Sequence, residues 1–195
     1  MSRPLGRDVG LFVAGAGLFA ASLVLVRRPG IDPVEEDVFR AANEAPDSLT
    51  IPVRSVMQMG TFGTVPVVSG VALLARKPRL AAALGVGGTA AWVLAKQAKR
   101  LGARPRPEGV LTDVRTREKI EGDLGWVSGH TAVATSIAAT AWIATPRWSR
   151  PFLAAGTVAT AFGRMFVGAH LPLDLVGGAG LGMMVSAVAR RFLPD

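Results

Sequence analysis

The chain has two histidines, and each lies in a short run of groups suited to negative charge. Gly125 to His130 reads GWVSGH, and Gly163 to Gly178 reads GRMFVGAHLPLDLVGG. In the second run His170 and Asp174 are spaced i, i+4, which sets them on one side of a helix, one turn apart. A carboxylate there takes one imidazole N–H, fixes the tautomer and leaves the opposite nitrogen free as nucleophile or base. Arg164, six residues before His170, has a planar fork that matches a pair of phosphate oxygens. Ser128 and Gly129 are expected at a helix start, where free backbone N–H groups and the positive dipole end favour an anion. The stretch KRLGARPRP, Lys99 to Pro107, adds a lysine and three arginines, of which Arg104 and Arg106 are each biased toward extended backbone by the proline that follows. Every one of these cationic and helix-start groups donates hydrogen bonds to negative charge.

These groups sit in apolar surroundings. Half of the 195 residues are hydrophobic and 18% are charged, against roughly 25% in soluble domains, and the mean hydropathy is +0.37. A charge near the bilayer centre costs roughly 2.5–3.5 kcal/mol on insertion scales, so ionisable groups in such a chain face a protein interior or a watery site. The length suits one domain, residues 1–195, of about six short spans. Cysteine is absent, which excludes disulfides and thiolate metal sites. The formal charge of +8 is spread in short clusters between apolar segments. Those clusters read as lipid-headgroup contacts and topology signals, not as a nucleic-acid face.

Six apolar segments are expected to build the domain. Val9 to Val26 is long for a signal-peptide core and lacks a clear cleavage site, so it reads as a span. Asp32 as N-cap, Pro33 at the first helical position and acids in the first turn mark a second helix start. Met57 to Ala75, Leu80 to Ala95, Ser128 to Thr145, Phe152 to Phe166 and Leu171 to Ala189 follow, with a polar loop over residues 101–127. Pro172 suits a first helical turn, which places His170 at the mouth of the last helix. Frequent glycine and alanine allow close packing in lipid. The expected fold class is therefore all-α, an integral membrane bundle of about six transmembrane helices with a short interfacial helix after the first span.

With an inside N-terminus, the inner face holds Arg3, Arg7, the Arg76/Lys77/Arg79 turn, Arg147, Arg150, Arg190 and Arg191 in short connections nearly free of acids, as the positive-inside rule expects. The other face carries more basic residues in absolute number, among them Arg27, Arg28, Lys96 and Arg100. The end of the third span, the start of the fourth, the end of the fifth and the start of the sixth all fall on that outer face. Lys99, Arg106, Ser128, Gly129, His130, Arg164, His170 and Asp174 occupy those four ends.

Lysine, six residues, Arg-Pro; then Ser-Gly-His; then arginine, five residues, histidine, three residues, aspartate: this order resembles the three-part signature of the type 2 phosphatidic acid phosphatase family. The motifs extend over about residues 99–178, and the six-span layout carries the resemblance over most of the chain. The resemblance implies His170 as nucleophile, Asp174 as its orienting partner and His130 as the acid that protonates the leaving oxygen. Lys99, Arg106, Ser128, Gly129 and Arg164 would hold the phosphate. It implies no cofactor and no metal, and the sequence offers no obvious carboxylate cluster for one. Two positions depart from the pattern: Val127 stands where proline is usual, and Gly163 replaces a serine whose loss could loosen Arg164 or the phosphate.

Other residues have plainer readings. Lys96 and Arg100 read as snorkelling side chains at a span end, Trp126 as a membrane-interface aromatic, and Glu35-Glu36-Asp37 as the solvated side of the interfacial helix. Arg104 stands between phosphate contact and interface anchor. Three functional classes fit: a lipid phosphatase, a non-hydrolytic use of the same pocket (lipid phosphotransfer or vanadate-based peroxidase chemistry), and a non-enzymatic transporter. The nearly uncharged span middles argue against the transporter, and the phosphatase leads. Phosphatidic acid, phosphatidylglycerol phosphate and polyprenyl mono- or diphosphates all fit as lipid phosphate substrates, the resemblance leaning toward the polyprenyl group; oligomeric state is unreadable.

Overall fold

The computed structural model describes residues 5–193, so Arg3 of the inner-face group lies outside the described residues. Helix makes up 74% of the described residues; among them no strand forms, and Pro105 and Leu124 make an isolated antiparallel bridge. The helices are α1 (Leu5–Val26), α2 (Pro33–Asn43), α3 (Thr50–Met57), α4 (Thr64–Leu74), α5 (Pro78–Gly102), α6 (Gly129–Ala141), α7 (Arg150–Phe166) and α8 (Pro172–Ala189). Local chemistry sets several starts. Asp32 accepts the Val34 N–H at 2.9 Å ahead of Pro33 in α2, and the Ser128 side chain accepts from Thr131 N at the head of α6.

α8 is the central helix. α1 and α6 pack along it, and α5 touches both α6 and α8. Gly178 and Gly182 leave room for the Ser128 and Ala132 carbonyls of α6, where a Cβ would collide. Such small-residue seams let helices meet closely where lipid offers no hydrophobic drive. Val26, Ala91, Ala95, Trp126, Val127, Val133, Leu181 and Val185 form the largest part of the core around this contact.

By length and composition, three helices can cross a membrane: Gly6–Val26, Pro78–Gly102 and Pro172–Ala189. A fourth arises if Asp47–Gly60 and Thr64–Leu74 are counted as one broken span. α6 and α7, with 13 and 17 residues, rise about 20 and 26 Å. The third predicted segment continues past Ala95 through Lys96, Lys99 and Arg100, and α5 ends at Gly102.

The second predicted span, Met57 to Ala75, is not continuous. α3 ends at Met57, a tight turn spans Gln58–Gly60, and α4 leaves at 67°. Thr61 Oγ1 donates to Gln58 O at 2.8 Å and Thr64 Oγ1 bonds the same carbonyl, so hydroxyls replace the missing helical bonds. Gly60, Gly63 and Pro66 mark the break locally, since proline suits only a helix's first turn. Gly60 presses against the His130 carbonyl, 2.6 Å from where its Cβ would stand, so the turn seats itself on the start of α6.

Candidate active site

Four chain segments converge at one end of the bundle: the end of α5, the start of α6, the end of α7 and the turn into α8. Lys99, Arg106, Gly129, His130, Arg164 and His170 from these segments line a single cavity of about 340 Å³. Ser128 and Asp174 stand behind it, both fully buried. All eight residues expected from the sequence therefore meet at one end.

The turn that carries His170 is tied to its neighbours at several points. Gly168 has φ 80°, and a Cβ there would lie 2.7 Å from the Arg115 carbonyl, so the loop passes where only glycine fits. Ala169 N and His170 N both donate to the Arg164 carbonyl, at 3.0 and 3.2 Å, and Arg106 Nη1 donates to the Ala169 carbonyl at 2.9 Å. Ser128 N donates to Asp174 O at 3.0 Å, joining the head of α6 to α8.

His170 Nδ1 faces Asp174 Oδ2 at 3.3 Å, and the Leu171 N–H donates to the same oxygen at 3.0 Å. A carboxylate only accepts, so the proton is assigned to Nδ1 and Nε2 is left with its lone pair. Burial, and then the neighbouring Arg164, Lys99, Arg106 and His130, hold the His170 pKa well below its ordinary value. The imidazole is thus neutral and nucleophilic at neutral pH.

The cations are partly committed to the scaffold. Lys99 Nζ donates to the Leu124 and Gly125 carbonyls at 2.8 and 3.1 Å, leaving one of an ammonium's three donors. Arg106 donates to the Gly122, Ala169 and Glu121 carbonyls, leaving two of five. Arg164 differs. Its Nη1 donates to Glu118 Oε1 at 2.5 Å, while its buried Nε has no hydrogen-bond partner. Buried donors are rarely left unpaired, so this one marks where an acceptor is wanted.

Several plain readings need correction. Glu35 is buried, not solvated: it grips Arg104 through Nη1 to Oε1 at 2.8 Å and Nη2 to Oε2 at 2.5 Å, and its Oε1 also accepts the Leu173 N–H at 2.8 Å. Glu36 is half-buried and Asp37 exposed, as a helix flank should be. Arg104 is neither a phosphate contact nor an interface anchor; it is buried between Glu35 and Asp174, with Nη1 3.4 Å from Asp174 Oδ1. Burial opposes its charge, but the bond to Glu35 and the two carboxylates outweigh that and raise its pKa above the ordinary value. Trp126 is fully buried, its indole N–H donating to Ser22 Oγ at 3.1 Å, because the segment before Ser128 dives into the core. Lys96 is exposed, yet its ammonium lies 3.6 Å from the centre of the Trp92 ring at the cavity rim.

The two departures from the motif also find places. Val127 packs in the main core. At Gly163 any Cβ would collide with the Met57 side chain, so the missing serine makes room for α3 against α7. A signal for Glu35 existed in the sequence: it shares a helical stripe with Phe39, Ala42 and Asn43, all buried. No comparable pattern points to Glu118.

Residues 79–195 match the PAP2 superfamily. The chain belongs to that superfamily. An undecaprenyl-diphosphatase of Sulfolobus acidocaldarius is 26% identical over 122 residues, which cover 63% of this chain and 59% of that protein. The chain thus spans less than two thirds of the length of that relative. The crystal structure of Aquifex aeolicus LpxE superposes with a TM-score of 0.75 at 21% identity, covering 84% of this chain and 98% of that one. A transmembrane PAP2 type phosphatidylglycerolphosphate phosphatase from Bacillus subtilis gives 0.70 at 19% identity, covering 95% and 94%. These two likenesses establish a shared PAP2 fold.

Proposed function

We propose that this chain is an integral membrane lipid phosphatase forming one domain over residues 1–195, which removes a phosphate from a lipid headgroup through a phosphohistidine. The observation that carries the reading is the unpartnered, buried Arg164 Nε in a cavity that also holds the lone-pair nitrogen of His170 and the spare donors of Lys99 and Arg106. Phosphoryl transfer spreads charge over three oxygens, so aligned cations and helix-start amides supply most of the catalysis. Gly129, at the start of α6 and in the cavity lining, provides such an amide, whereas Ser128 N is already bonded to Asp174 O.

In the first step His170 Nε2 attacks phosphorus, and the bond to the lipid's leaving oxygen breaks as His130 gives that oxygen a proton. Asp174 balances the positive charge that builds on the ring. In the second step water attacks the phosphorus, His130 takes its proton, the P–N bond breaks, and inorganic phosphate leaves with His170 neutral again. Splitting one displacement into two lowers each barrier.

Membership of the superfamily supports phosphate-lipid chemistry, and the undecaprenyl-diphosphatase relative favours a polyprenyl diphosphate over the other headgroups. Six passes through the cell membrane, with α3–α4 as a bent span, α6 and α7 as short ones and α2 at the interface, would set the cavity at the outer surface, where a headgroup reaches it while its chains stay in lipid.

A panel of polyprenyl diphosphate, polyprenyl phosphate, phosphatidic acid and phosphatidylglycerol phosphate, followed by phosphate release, tests this. His170→Ala should abolish turnover with the fold retained by thermal melting. Retained turnover removes His170 as nucleophile. Turnover should also persist in excess chelator, and loss restored by magnesium would mean another mechanism.

A further inference from the structure

We propose that Glu118 sets the charge specificity of this site: its carboxylate holds an Arg164 donor that a dianionic phosphomonoester displaces and a monoanionic phosphodiester does not. The proposal rests on the phosphatase reading, since it concerns which phosphates reach His170. Glu118 touches neither histidine in the mechanism above, yet it lines the same cavity and bonds the arginine best placed for phosphate.

The loop that carries Glu118 is anchored on both sides. Before it, Arg117 N donates to Val167 O at 3.1 Å, and the Arg117 side chain bonds the Asn43, Ala45 and Phe166 carbonyls and Asp47. After it, the Glu121 and Gly122 carbonyls accept from Arg106. Only residues 118–120 bridge the two anchors. The Glu118 side chain is 24% exposed against 6% for Arg164, so the carboxylate has water to retire into while the arginine does not. It can rotate away without moving the backbone.

Charge then decides which ligand takes its place. A carboxylate carries one negative charge and so does a phosphodiester, so exchanging one for the other gains little. A phosphomonoester carries about −1.5 to −2 at neutral pH, and a terminal diphosphate is likewise more highly charged than a diester. The extra charge interacts with Lys99 and Arg106 in a site where water is scarce and such interactions are strong. A membrane enzyme of this kind is surrounded by phosphodiester headgroups, whose phosphate would otherwise compete for the same fork. An internal monoanion screens them out.

The test uses the full chain in detergent, with inorganic phosphate and dimethyl phosphate as probes and calorimetric binding as the readout. In Glu118→Gln, dimethyl phosphate should bind more tightly, and the preference for inorganic phosphate over dimethyl phosphate should fall by about tenfold, the scale of one charge-assisted hydrogen bond. In mixed micelles, lipid-phosphate turnover by the variant should become sensitive to added phosphatidylglycerol while the parent is not. An unchanged preference in Glu118→Gln and in Glu118→Ala, with parental melting temperatures, overturns the proposal. So does loss of phosphate binding in both folded variants, since Glu118 would then assist binding. If the parent binds phosphate but hydrolyses no lipid, the phosphatase reading fails, and the binding preference still decides the role of Glu118.

Discussion

At His170, burial strips water from the imidazole, and Arg164, Lys99 and Arg106 oppose a second positive charge, so the neutral form persists well below the ordinary value of 6.5. The proposed nucleophile is therefore not lost to protonation of its own ring at that value. The same shift affects stability. An unfolded histidine takes up its proton near pH 6.5, so between the folded and unfolded values the unfolded chain binds more protons. The stability that His170 contributes is then complete above about pH 6.5 and drains away as pH falls below it. Melting of the detergent-solubilised protein between about pH 7.5 and 5 should show this loss, and His170→Gln, which does not titrate, should flatten it; equal slopes would remove the cause. Asp174→Asn tests orientation. An amide can present N–H toward Nδ1 and turn the ring to the wrong tautomer, so kcat should fall by about 10²- to 10⁴-fold, by analogy with other imidazoles that lean on a carboxylate. An unchanged kcat would leave Asp174 as a helix-start residue, bonded to the Leu171 N–H.

Between α2 and α8 the buried Glu35–Arg104–Asp174 chain joins a peripheral helix to the histidine's partner, and this is the contact on which element-scale behaviour turns. Removing one member of a buried pair leaves an uncompensated charge and costs about 3–5 kcal/mol. Glu35→Gln should therefore lower the melting temperature and reduce kcat with little change in KM, because no phosphate contact is lost. A rise in KM alone would mean that α2 bears on substrate entry instead. These outcomes also show what a sequence discloses. The starts of α2, α6 and α8 were legible because Asp32, Ser128 and Pro172 act within one turn, and the family motif located Lys99, Arg106, Gly129, His130, Arg164 and His170 of the cavity lining. The break at Gly60 was overlooked because both halves of Met57–Ala75 are apolar, although Gly60, Gly63 and Pro66 mark it locally; what was not legible is that the turn lies against the distant His130 carbonyl. Trp126 and Glu118 were hidden for the same reason: the fold of a long polar loop, and not any local pattern, decides what they touch.

Across the whole molecule, α5 separates two basic ends. Its 25 residues rise about 37 Å, enough for the ~30 Å hydrocarbon layer with some tilt. The candidate site lies at its C-terminal end, while Arg7, Arg76, Lys77, Arg79 and Arg150 line a cavity of about 830 Å³ at its N-terminal end. Both ends carry cations, so the total count of basic residues decides nothing, but the lower cluster sits in short connections with no acid lining it. Short basic connections stay inside, and on that rule the proposed orientation puts the histidine cavity outside, facing lipid phosphates of the outer leaflet. The chain has no cysteine, so single cysteines report this orientation without background. Thr112→Cys, on the exposed outer loop, should react with a membrane-impermeant maleimide in intact cells, and Lys77→Cys, at the opposite end, only after permeabilisation. The reverse pattern would turn the bundle over and require the substrate to present its phosphate from the inner leaflet, with the helix packing and the histidine geometry unchanged.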